Sequence, residues 1–352
     1  MNTQDSLALL MDLISTPSHS KEEDKSGDLI YNKLAVLGFT PERIKNNVWA
    51  FAQPYNSKLP TLLLNSHHDT VKPGESWTLD PYTPMVIEDK LIGLGSNDAG
   101  ASLVCLLAAF VQLKHSKLPF NLVFLASAEE EISGVDGASL AFKHLPKIDF
   151  AIVGEPTDCQ LAIAEKGLMV IDAFVKGKSG HAARDTGENA IYKAVAIIEK
   201  IKGFCFPKKS AHLGPIKLSV TQINAGTQHN VIPDACHLVI DVRTTDAYSN
   251  ADTLAILQKE LDCELKARST RLNASGISVE HPLFLAAEKC GLDKFCSPTL
   301  SDQALMDWPS VKIGPGSSPR SHSPDEFIYL HELEQGIATY IKYIEALAQI
   351  KY

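Results

Sequence analysis

The sequence predicts an α/β protein: a three-layer domain with a mixed, largely parallel sheet and a site at the C-terminal ends of its strands, plus an inserted two-layer α+β domain. At 352 residues the chain exceeds what one core usually supports, so we expect two domains. Short apolar runs alternate with helical patterns towards both ends of the chain. Several of these runs end in a carboxylate or an imidazole, which is where open α/β sheets place ligand sites.

The composition is that of a soluble globular protein, with 45% apolar and 21% charged residues. Lys and Arg number 33 against 42 Asp and Glu, a net charge of −9, which argues against a nucleic-acid or membrane partner. The first 23 residues carry acids and no basic segment ahead of their apolar positions. We therefore expect no secretion signal and a cytoplasmic protein.

Seven cysteines are scattered along the chain without a CxxC pair. An odd number without such pairs argues against a disulfide framework and against a cysteine zinc site. The longest apolar run, Leu103 to Val111, is too short to span a bilayer and predicts a buried helix.

The first elements lead to a histidine. Apolar spacing predicts two helices and then two strands, at residues 5–15, 26–38, 49–52 and 61–64. The second strand ends in NSHHDTV, where alternation puts His67 and Asp69 on one side. A lone histidine after a strand is usually structural, but an Asp within reach is how metal-bound imidazoles are oriented.

Two further segments end in acids. After a hairpin arm at 86–94, GLGSNDAGAS places Asp98 at the start of an apolar helix, whose dipole favours the ionised carboxylate; a simple helix cap is the alternative. The apolar run 122–126 predicts a buried strand that stops at three glutamates, 129 to 131. If these carboxylates are buried together, they need a compensating cation. The alternative interpretation is a solvent-exposed acidic cluster at the start of a helix.

The remaining flanking elements supply one more acid and one more histidine. A helix is predicted at 137–144 and a strand at 150–153, which ends in GEPTD with Glu155 just past it. A strand at 311–313 leads into GPGSSPRSHSPDEFI, which places His322 in a loop ahead of a final helix at 331–347.

The character of the chain changes between these pieces. Strands are predicted at 168–176, 218–224, 237–243 and 264–268, with one helix opening at 179–184 and running to 201 and another at 253–261. This pattern lacks an acid cluster and lies between the segments that form the site. We therefore predict a catalytic domain of residues 1–167 and 277–352, interrupted by an inserted domain at 168–276.

The flanking segments together offer two imidazoles and three carboxylates: His67, Asp98, Glu131, Glu155 and His322. Nitrogen with oxygen suits a pair of borderline ions such as Zn²⁺, with Co²⁺ as an alternative. Two such ions about 3.5 to 4 Å apart can activate water and polarise an amide carbonyl. A further acid is then needed as general base, and the glutamate triplet supplies it.

The motifs HHDTV, GLGSNDAG, ASAEEEISG, VGEPTD, AEKG, SGHAAR, NVIPD and SHSPDE occur in one order along nearly the whole chain. In this the sequence resembles the co-catalytic zinc family of carboxypeptidases, aminoacylases and N-acetylornithine, succinyl-diaminopimelate and N-acetyl-lysine deacylases. The resemblance implies a catalytic domain interrupted by a lid domain that usually dimerises. It also implies metal roles: His67 and Glu155 would hold one ion, Glu131 and His322 the other, Asp98 would bridge them, and Asp69 would orient His67.

The resemblance also divides the glutamate triplet. Aligning the family's Asp-Glu-Glu with residues 129 to 131 makes Glu130 the general base and Glu131 the ligand. A slip of one residue would give these roles to Glu129 and Glu130. The flanking A-S-A and I-S-G favour the first register, because they keep step with deacetylases of this family.

Family positions in the lid suggest His181 as an oxyanion donor that reaches a partner subunit's site. Asn230 and Arg243 would grip the substrate carboxylate, together with Gly314 and Gly316 of the GPGSS motif. The structural alternatives are a helix cap for His181 and an ion pair between Arg243 and its neighbour Asp241.

The tail motif, with Ser301-Asp302-Gln303 upstream, looks closest to the N-acetylornithine, N-acetylcitrulline and N-acetyl-lysine deacylases. The leading expectation is a homodimeric enzyme that removes an acetyl group from the α-nitrogen of ornithine or citrulline in arginine biosynthesis. A water between two divalent ions would lose its proton to Glu130, which would return it to the leaving amine. A desuccinylase of succinyl-diaminopimelate or another N-succinyl amino acid, an N-acetyl-lysine deacetylase and a dipeptidase are alternatives. A non-catalytic interaction protein is the alternative of another class, and the intact ligand set argues against it.

Overall fold

The computed structural model describes residues 1–184 and 186–350. The chain divides into two compact units. The first is Met1–Ile163, Gly276–Phe295 and the chain from Ser301 onwards, and the second is Ala164–Ser275 with Cys296–Leu300. The sequence placed the insert at 168–276, and it gave no sign that residues 296–300 group with it.

The described helices and strands are as follows. The α-helices are α1 Thr3–Ile14, α2 Asp24–Val36, α3 Ala101–Gln112, α4 Ala138–Ala141, α5 Ala190–Gly203, α6 Asn250–Glu260, α7 Pro282–Cys290 and α8 Leu330–Leu347. The strands are β1 Glu42–Ile44, β2 Asn47–Phe51, β3 Thr61–His67, β4 Met85–Ile87, β5 Lys90–Ile92, β6 Asn121–Ser127, β7 Phe150–Gly154, β8 Leu161–Glu165, β9 Gly167–Lys176, β10 Gly180–His181, β11 Lys217–Ala225, β12 Val231–Ile232, β13 Ala235–Thr244, β14 Glu264–Ala267, β15 Ser275–Gly276, β16 Lys294–Ser297, β17 Ser310–Ile313 and β18 Phe327–Tyr329.

The central sheet has the strand order β1-β2-β6-β3-β7-β17-β8-β15, with β16 beside β8. Its middle strands β6, β3, β7 and β17 are parallel, whereas β2 and β8 join them antiparallel. Every residue of β3 and β6 is buried, as expected of parallel strands covered on both faces. The predicted α/β class with a largely parallel sheet is confirmed. Because the middle strands are parallel, their C-terminal ends meet at one edge.

Helices cover both faces of this sheet. On one face, α3 packs against β3, β6 and β7. On the other face Leu63, Val123 and Leu125 form a cluster with Ala141 at the end of α4. These layers hold the strand ends in fixed positions, which is what a site built on several strands requires.

Helix α3 is the core helix of the first unit. Residues 101–110 are all buried, and the run is rich in Ala and Leu, which are strong helix formers. By length and composition the stretch Ser96–His115 could cross a membrane, yet 78% of its most apolar window is buried inside the protein. This burial fits the core helix predicted for Leu103 to Val111.

The second unit has a four-stranded antiparallel sheet in the order β11-β13-β9-β14. Alternate residues of β9 and β13 point into one core cluster, which Ile197 of α5 and Leu257 of α6 complete. The unit is therefore the two-layer α+β arrangement that the alternating strands predict.

Two helix predictions were wrong in extent. The segment 179–184 does not open a helix: Gly180 and His181 form β10, and α5 begins at Ala190 behind the side-chain cap of Asn189. Gly187 explains the break, because its φ of +131° lies outside the helical region. Helix α4 covers only Ala138–Ala141 instead of 137–144.

Candidate metal centre

The site forms where the parallel strands end. His67 is the last residue of β3, the glutamate triplet follows β6, and Glu155 follows β7 directly. Asp98 lies just before α3, and His322 lies in the loop that follows β17. The fold brings all five sequence-predicted metal ligands together.

The distances place Asp98 between the two imidazoles. Its Oδ1 lies 3.2 Å from His67 Nε2, and its Oδ2 lies 3.7 Å from His322 Nε2. His67 Nε2 is also 3.9 Å from Glu155 Oε1, while His322 Nε2 is 2.9 Å from Glu131 Oε2. Each imidazole thus lies near its predicted partner glutamate, and both lie near Asp98.

Glu130 lies in the same cluster, with its Oε2 3.9 Å from His67 Nε2. Among the described residues, two groups of three have ligand atoms within 4.8 Å of one another: His67 with Asp98 and Glu131, and His67 with Glu130 and Glu155. Glu130 therefore lies close enough to His67 to act on a molecule held beside that imidazole.

The carboxylates are too numerous for the positive charge around them. Burial raises the pKa of Glu130 well above its ordinary value, and burial with the charge of Asp98 raises the pKa of Glu155 to about 8. A hydrogen bond to Glu131 raises the pKa of His322 to about 9. Burial alone would lower the pKa of His67, but Asp69, Asp98 and the nearby glutamates raise it well above normal.

These shifts test whether the residues suit a metal. If all four carboxylates were ionised, the cluster would keep a net negative charge even with both imidazoles protonated, and the raised pKa values of Glu130 and Glu155 reflect this excess and their burial. Divalent cations would let the carboxylates ionise and the imidazoles donate their nitrogen lone pairs. The nitrogen and oxygen donors fit Zn²⁺ and similar ions. The described residues therefore include a cluster able to hold metal ions.

Asp69 does more than the sequence suggested. Nδ1 of His67 lies 2.9 Å from the backbone oxygen of Asp69 and 3.4 Å from its Oδ1. Because a carbonyl oxygen can only accept, Nδ1 carries the proton and Nε2 faces the cluster. The Asp69 carboxylate accepts the N–H groups of Glu130 and Glu131 at 3.0 and 3.2 Å, and the hydroxyl of Ser20 at 2.7 Å. It therefore fixes the triplet as well as the imidazole.

Glu129 points away from the imidazoles. Its backbone is left-handed, with φ of +55°, and its Oε2 accepts the N–H of Asp136. Its own N–H is accepted by Glu23, a fully buried carboxylate. This placement favours the register in which Glu130 is the base and Glu131 the ligand, and those roles stay predictions.

Two buried acids near the site were missed. Glu326 accepts the N–H groups of Gly95, Asn97 and Asp98, and burial beside Asp98 raises its pKa to about 8. Asp302 accepts hydrogen bonds from Asn65 and Ser127, and its charge contributes to the raised pKa of Glu130. Both belong to motifs seen in the sequence, but neither motif indicated that they are buried.

The predicted lid residues lie in the second unit. His181 is exposed, and its Nδ1 accepts the N–H of Ala183. The backbone oxygen of Asn230 accepts the N–H of Ala182, beside the pairing of β10 with β12. Arg243 donates two bonds to Asp241, at 2.9 and 3.2 Å, which is the ion pair given as its structural alternative. The substrate roles of His181, Asn230 and Arg243 stay predictions.

Gly314 and Gly316 have packing reasons to be glycine. A Cβ on Gly314 would lie 2.2 Å from Oγ of Ser102 and 2.6 Å from the backbone oxygen of Glu155. Gly316 has φ of +83°, and a Cβ there would lie 2.3 Å from Oδ1 of Asn97. Both glycines let the chain pass close to segments that carry site residues, and their contact with a substrate stays a prediction.

Comparison with known proteins bears on this cluster. A family model described as peptidase family M20/M25/M40 matches residues 63–346. Acetylornithine deacetylase of Proteus mirabilis (strain HI4320) is 31% identical over 365 residues, which cover 93% of each chain. Succinyl-diaminopimelate desuccinylase of Xanthomonas campestris pv. campestris (strain B100) is 30% identical over 271 residues, which cover 72% of this chain and 71% of the other.

Solved structures share the fold. A tripeptidase of Staphylococcus aureus superposes with a TM-score of 0.79 at 20% identity, over 99% of this chain and 100% of the other. A dinuclear metal-binding M20 peptidase of Bacillus subtilis gives 0.76 at 17% identity, over 99% of each chain. The resemblance stated from the motifs and the prediction of an amide-bond hydrolase are confirmed. The chain belongs to peptidase family M20/M25/M40 and is a hydrolase that acts on amide bonds.

Proposed function

We propose that this hydrolase removes the acetyl group from the α-nitrogen of ornithine or citrulline, as a step of arginine biosynthesis. The observation that carries the reaction type is the position of the Glu130 carboxylate beside the five predicted ligands, 3.9 Å from His67 Nε2. The observation that favours the acetylated substrate is the acetylornithine deacetylase match, which extends over 93% of both chains.

The proposal includes two divalent metal ions, Zn²⁺ or Co²⁺. His67 and Glu155 would hold one ion, and Glu131 and His322 the other, with Asp98 shared. When bound, such ions polarise the amide carbonyl and lower the pKa of water.

The chain's own residues then move the proton. Glu130 Oε2 accepts a proton from the attacking water, whose oxygen forms the new bond to the carbonyl carbon. The carbon–nitrogen bond breaks, and Glu130 returns the proton to the leaving amine, giving a carboxylate and a free amino acid. The enclosed position of Glu130 suits this role, because burial raises its pKa well above the ordinary value of a glutamate, which makes its carboxylate a stronger base.

A desuccinylase is the second candidate, favoured by the succinyl-diaminopimelate desuccinylase match at 30% identity. The two substrates differ in the acyl end, because a succinyl group carries an extra carboxylate that needs a cationic or hydrogen-bonding partner. Acyl-group preference therefore separates the candidates.

The test is hydrolysis of acetyl and succinyl derivatives of ornithine, citrulline, lysine and diaminopimelate by the metal-loaded protein. We expect kcat/KM to be highest for N-acetylornithine or N-acetylcitrulline. A preference for a succinyl derivative would transfer the assignment to the second candidate. A dipeptide panel in the same assay checks for dipeptidase activity, and hydrolysis of neither acetylated substrate would refute the leading proposal.

We further propose that the protein is a cytoplasmic homodimer joined through the second unit. Tyr192 and Val195 of α5 are 75% and 50% exposed, and Ile223 of the edge strand β11 is 51% exposed. Exposed apolar side chains beside an unpaired strand edge favour association. Light scattering should give twice the chain mass for the native protein and the single-chain mass for Tyr192→Asp. A native monomer would refute the dimer, and recovery of the protein in a membrane or secreted fraction would refute the location.

A further inference from the structure

We propose that Glu326 is a positioning residue for the metal centre: its buried carboxylate holds the loop that presents Asp98, so that metal affinity depends on it. The proposal rests on the two-ion centre described above, but it concerns a residue outside the ligand set.

The contacts of Glu326 converge on one short segment. Its Oε1 accepts the N–H groups of Asn97 and Asp98 at 2.8 and 2.9 Å, and its Oε2 accepts that of Gly95 at 3.2 Å. Glu326 is 2% exposed, so these three bonds form away from water. Because these bonds are buried, an N–H group that lost its carboxylate acceptor would have no water to replace it.

The segment needs such an acceptor because it is not regular helix. Gly95 is left-handed, with φ of +76°, and Asp98 has φ of −117° and ψ of +103°. The backbone leaves the helical pattern there, just before α3 begins at Ala101. A buried N–H group left without an acceptor costs roughly 1 to 3 kcal/mol, so the loop has few other stable arrangements that keep its bonds.

Strand pairing delivers Glu326 to this place. Phe327 of β18 is opposite Ile92 of β5, so the residue before β18 meets the residue after β5. The backbone oxygen of Glu326 accordingly accepts the N–H of Gly93 at 2.9 Å. Glu326 therefore binds both ends of the segment 93–98: its backbone oxygen accepts from Gly93, and its side chain accepts from Asn97 and Asp98.

The same C-terminal loop carries a ligand of its own. His322 lies four residues before Glu326 in this loop. Asn97 forms two hydrogen bonds with Ser317 of the same loop: its Oδ1 accepts the N–H of Ser317, and its Nδ2 donates to the Ser317 carbonyl. These hydrogen bonds tie the segment that carries Asp98 to the loop that carries His322, and they thereby help to set the distance of 3.7 Å between His322 Nε2 and Asp98 Oδ2. Glu326 lies where the C-terminal loop meets the segment 93–98, just before α3 begins.

This arrangement predicts what a loss of the carboxylate would do. Glutamine has the same shape, and its oxygen can still accept from Asn97 and Asp98, but its NH₂ group would face the N–H of Gly95. The loop would shift to separate the two donors, and the Asp98 carboxylate would move with it. Removal of a group that orients a metal ligand typically weakens metal affinity by about 10- to 100-fold.

The experiment compares native protein, Glu326→Gln and Glu326→Asp with a matched control, Asp325→Asn. Asp325 is the neighbouring acid and also accepts backbone N–H groups, but from Thr78 and Leu79 instead of the Asp98 loop. Zn²⁺ affinity is measured by competition with a chelating dye, and the visible absorption of Co²⁺-loaded protein reports ligand geometry. Thermal midpoints of the metal-free proteins are measured in parallel.

We expect Glu326→Gln to bind Zn²⁺ about 10- to 100-fold more weakly and to change the Co²⁺ spectrum, with Asp325→Asn unchanged in both. Glu326→Asp keeps the carboxyl group on a shorter side chain, so its affinity and spectrum should lie between those of the native protein and Glu326→Gln. It also supplies the readout if the glutamine variant does not fold. Native-like affinity and spectrum in folded Glu326 variants would overturn the positioning role while leaving the metal centre in place. A native protein that binds neither ion would overturn the metal centre, and this proposal with it.

Discussion

Replacing Glu130 by glutamine tests the division of roles in the glutamate triplet. The change removes the carboxylate that lies 3.9 Å from His67 Nε2 while keeping the shape of the side chain. The backbone N–H of residue 130 would still be held by Asp69, so the turn should keep its conformation. The variant therefore isolates the proton-transfer step.

The expected loss follows from the lack of a substitute acid. Asp98, Glu131 and Glu155 are the predicted metal ligands, and the Asp69 carboxylate is buried and accepts three hydrogen bonds. General acid–base groups contribute about 10²- to 10⁴-fold in rate, and without a nearby replacement we expect a loss of at least the middle of this range. A loss of about 10³-fold corresponds to roughly 4 kcal/mol in the activation barrier.

The assay measures kcat and KM on N-acetylornithine together with metal content. For Glu130→Gln, kcat should fall about 10³-fold with KM and metal content near native values. Glu129→Gln is the matched control, because the Glu129 carboxylate faces Asp136 and its glutamine can still accept that bond. We expect it to keep kcat within a factor of about three. If Glu129→Gln abolished turnover and Glu130→Gln did not, the register of the triplet would be wrong.

Three further outcomes follow from the same geometry. The pKa of Glu155, about 8, and that of His322, about 9, exceed their ordinary values of 4.5 and 6.5, so the folded state binds these protons more tightly than the unfolded state. The stability that these protons contribute is lost as the pH rises through the folded-state pKa values, and the metal-free protein should melt at a lower temperature at pH 9 than at pH 6. Metal-loaded protein should show a smaller difference. Asp98→Asn should lower the bound metal from two ions per chain to one or none, measured by atomic absorption, because the shared carboxylate faces both imidazoles; two ions bound as in the native protein would exclude the bridging role. Gly314→Ala should lower the free energy of unfolding by about 1 to 3 kcal/mol in a denaturant titration, because its Cβ would meet Ser102 and Glu155. In the control Gly203→Ala the Cβ would have nothing within 4 Å, so the free energy of unfolding should change little.

The strands and ligands that the sequence predicted share a strong local signal. Runs such as 122–126 are apolar throughout because parallel strands are buried on both faces, and a charged residue at their end is therefore conspicuous. The five predicted ligands lie at such ends or next to Gly-rich loops, so the sequence indicated their residue types and approximate positions, and the family resemblance chose Glu131 within the triplet. The parallel order then brings the strand-end residues His67, Glu131 and Glu155 together, whereas Asp98 and His322 reach them on loops.

Residues that are buried by distant contacts gave no such signal. Glu326 meets Gly95 from 231 positions away, and Asp302 meets Asn65 from 237 positions away, so each looks like an ordinary surface acid in the sequence. Glu23 is similar, since its partner Glu129 is 106 positions distant. The wrong prediction of a helix at 179–184 has a local cause. Ala and Arg favour a helix in that segment, but the residue that caps the start of α5 is Asn189.

The place of β17 in the sheet has a consequence for the order in which the chain folds. Ser310 of β17 pairs beside Ala151 of β7, and the segment 164–275 lies between them in the sequence. Closing a loop costs entropy, and this cost rises by about 0.6 kcal/mol for each doubling of the loop length. Prior folding of 164–275 shortens the effective loop about threefold, which lowers the cost by roughly 1 kcal/mol. Amides of β9 and β13 should therefore gain protection from hydrogen exchange before those of β17 in pulse-labelled refolding, and simultaneous protection would argue against this order. Because the loop that carries His322 follows β17 directly in the chain, we expect the metal centre to be completed no earlier than β17 joins the sheet.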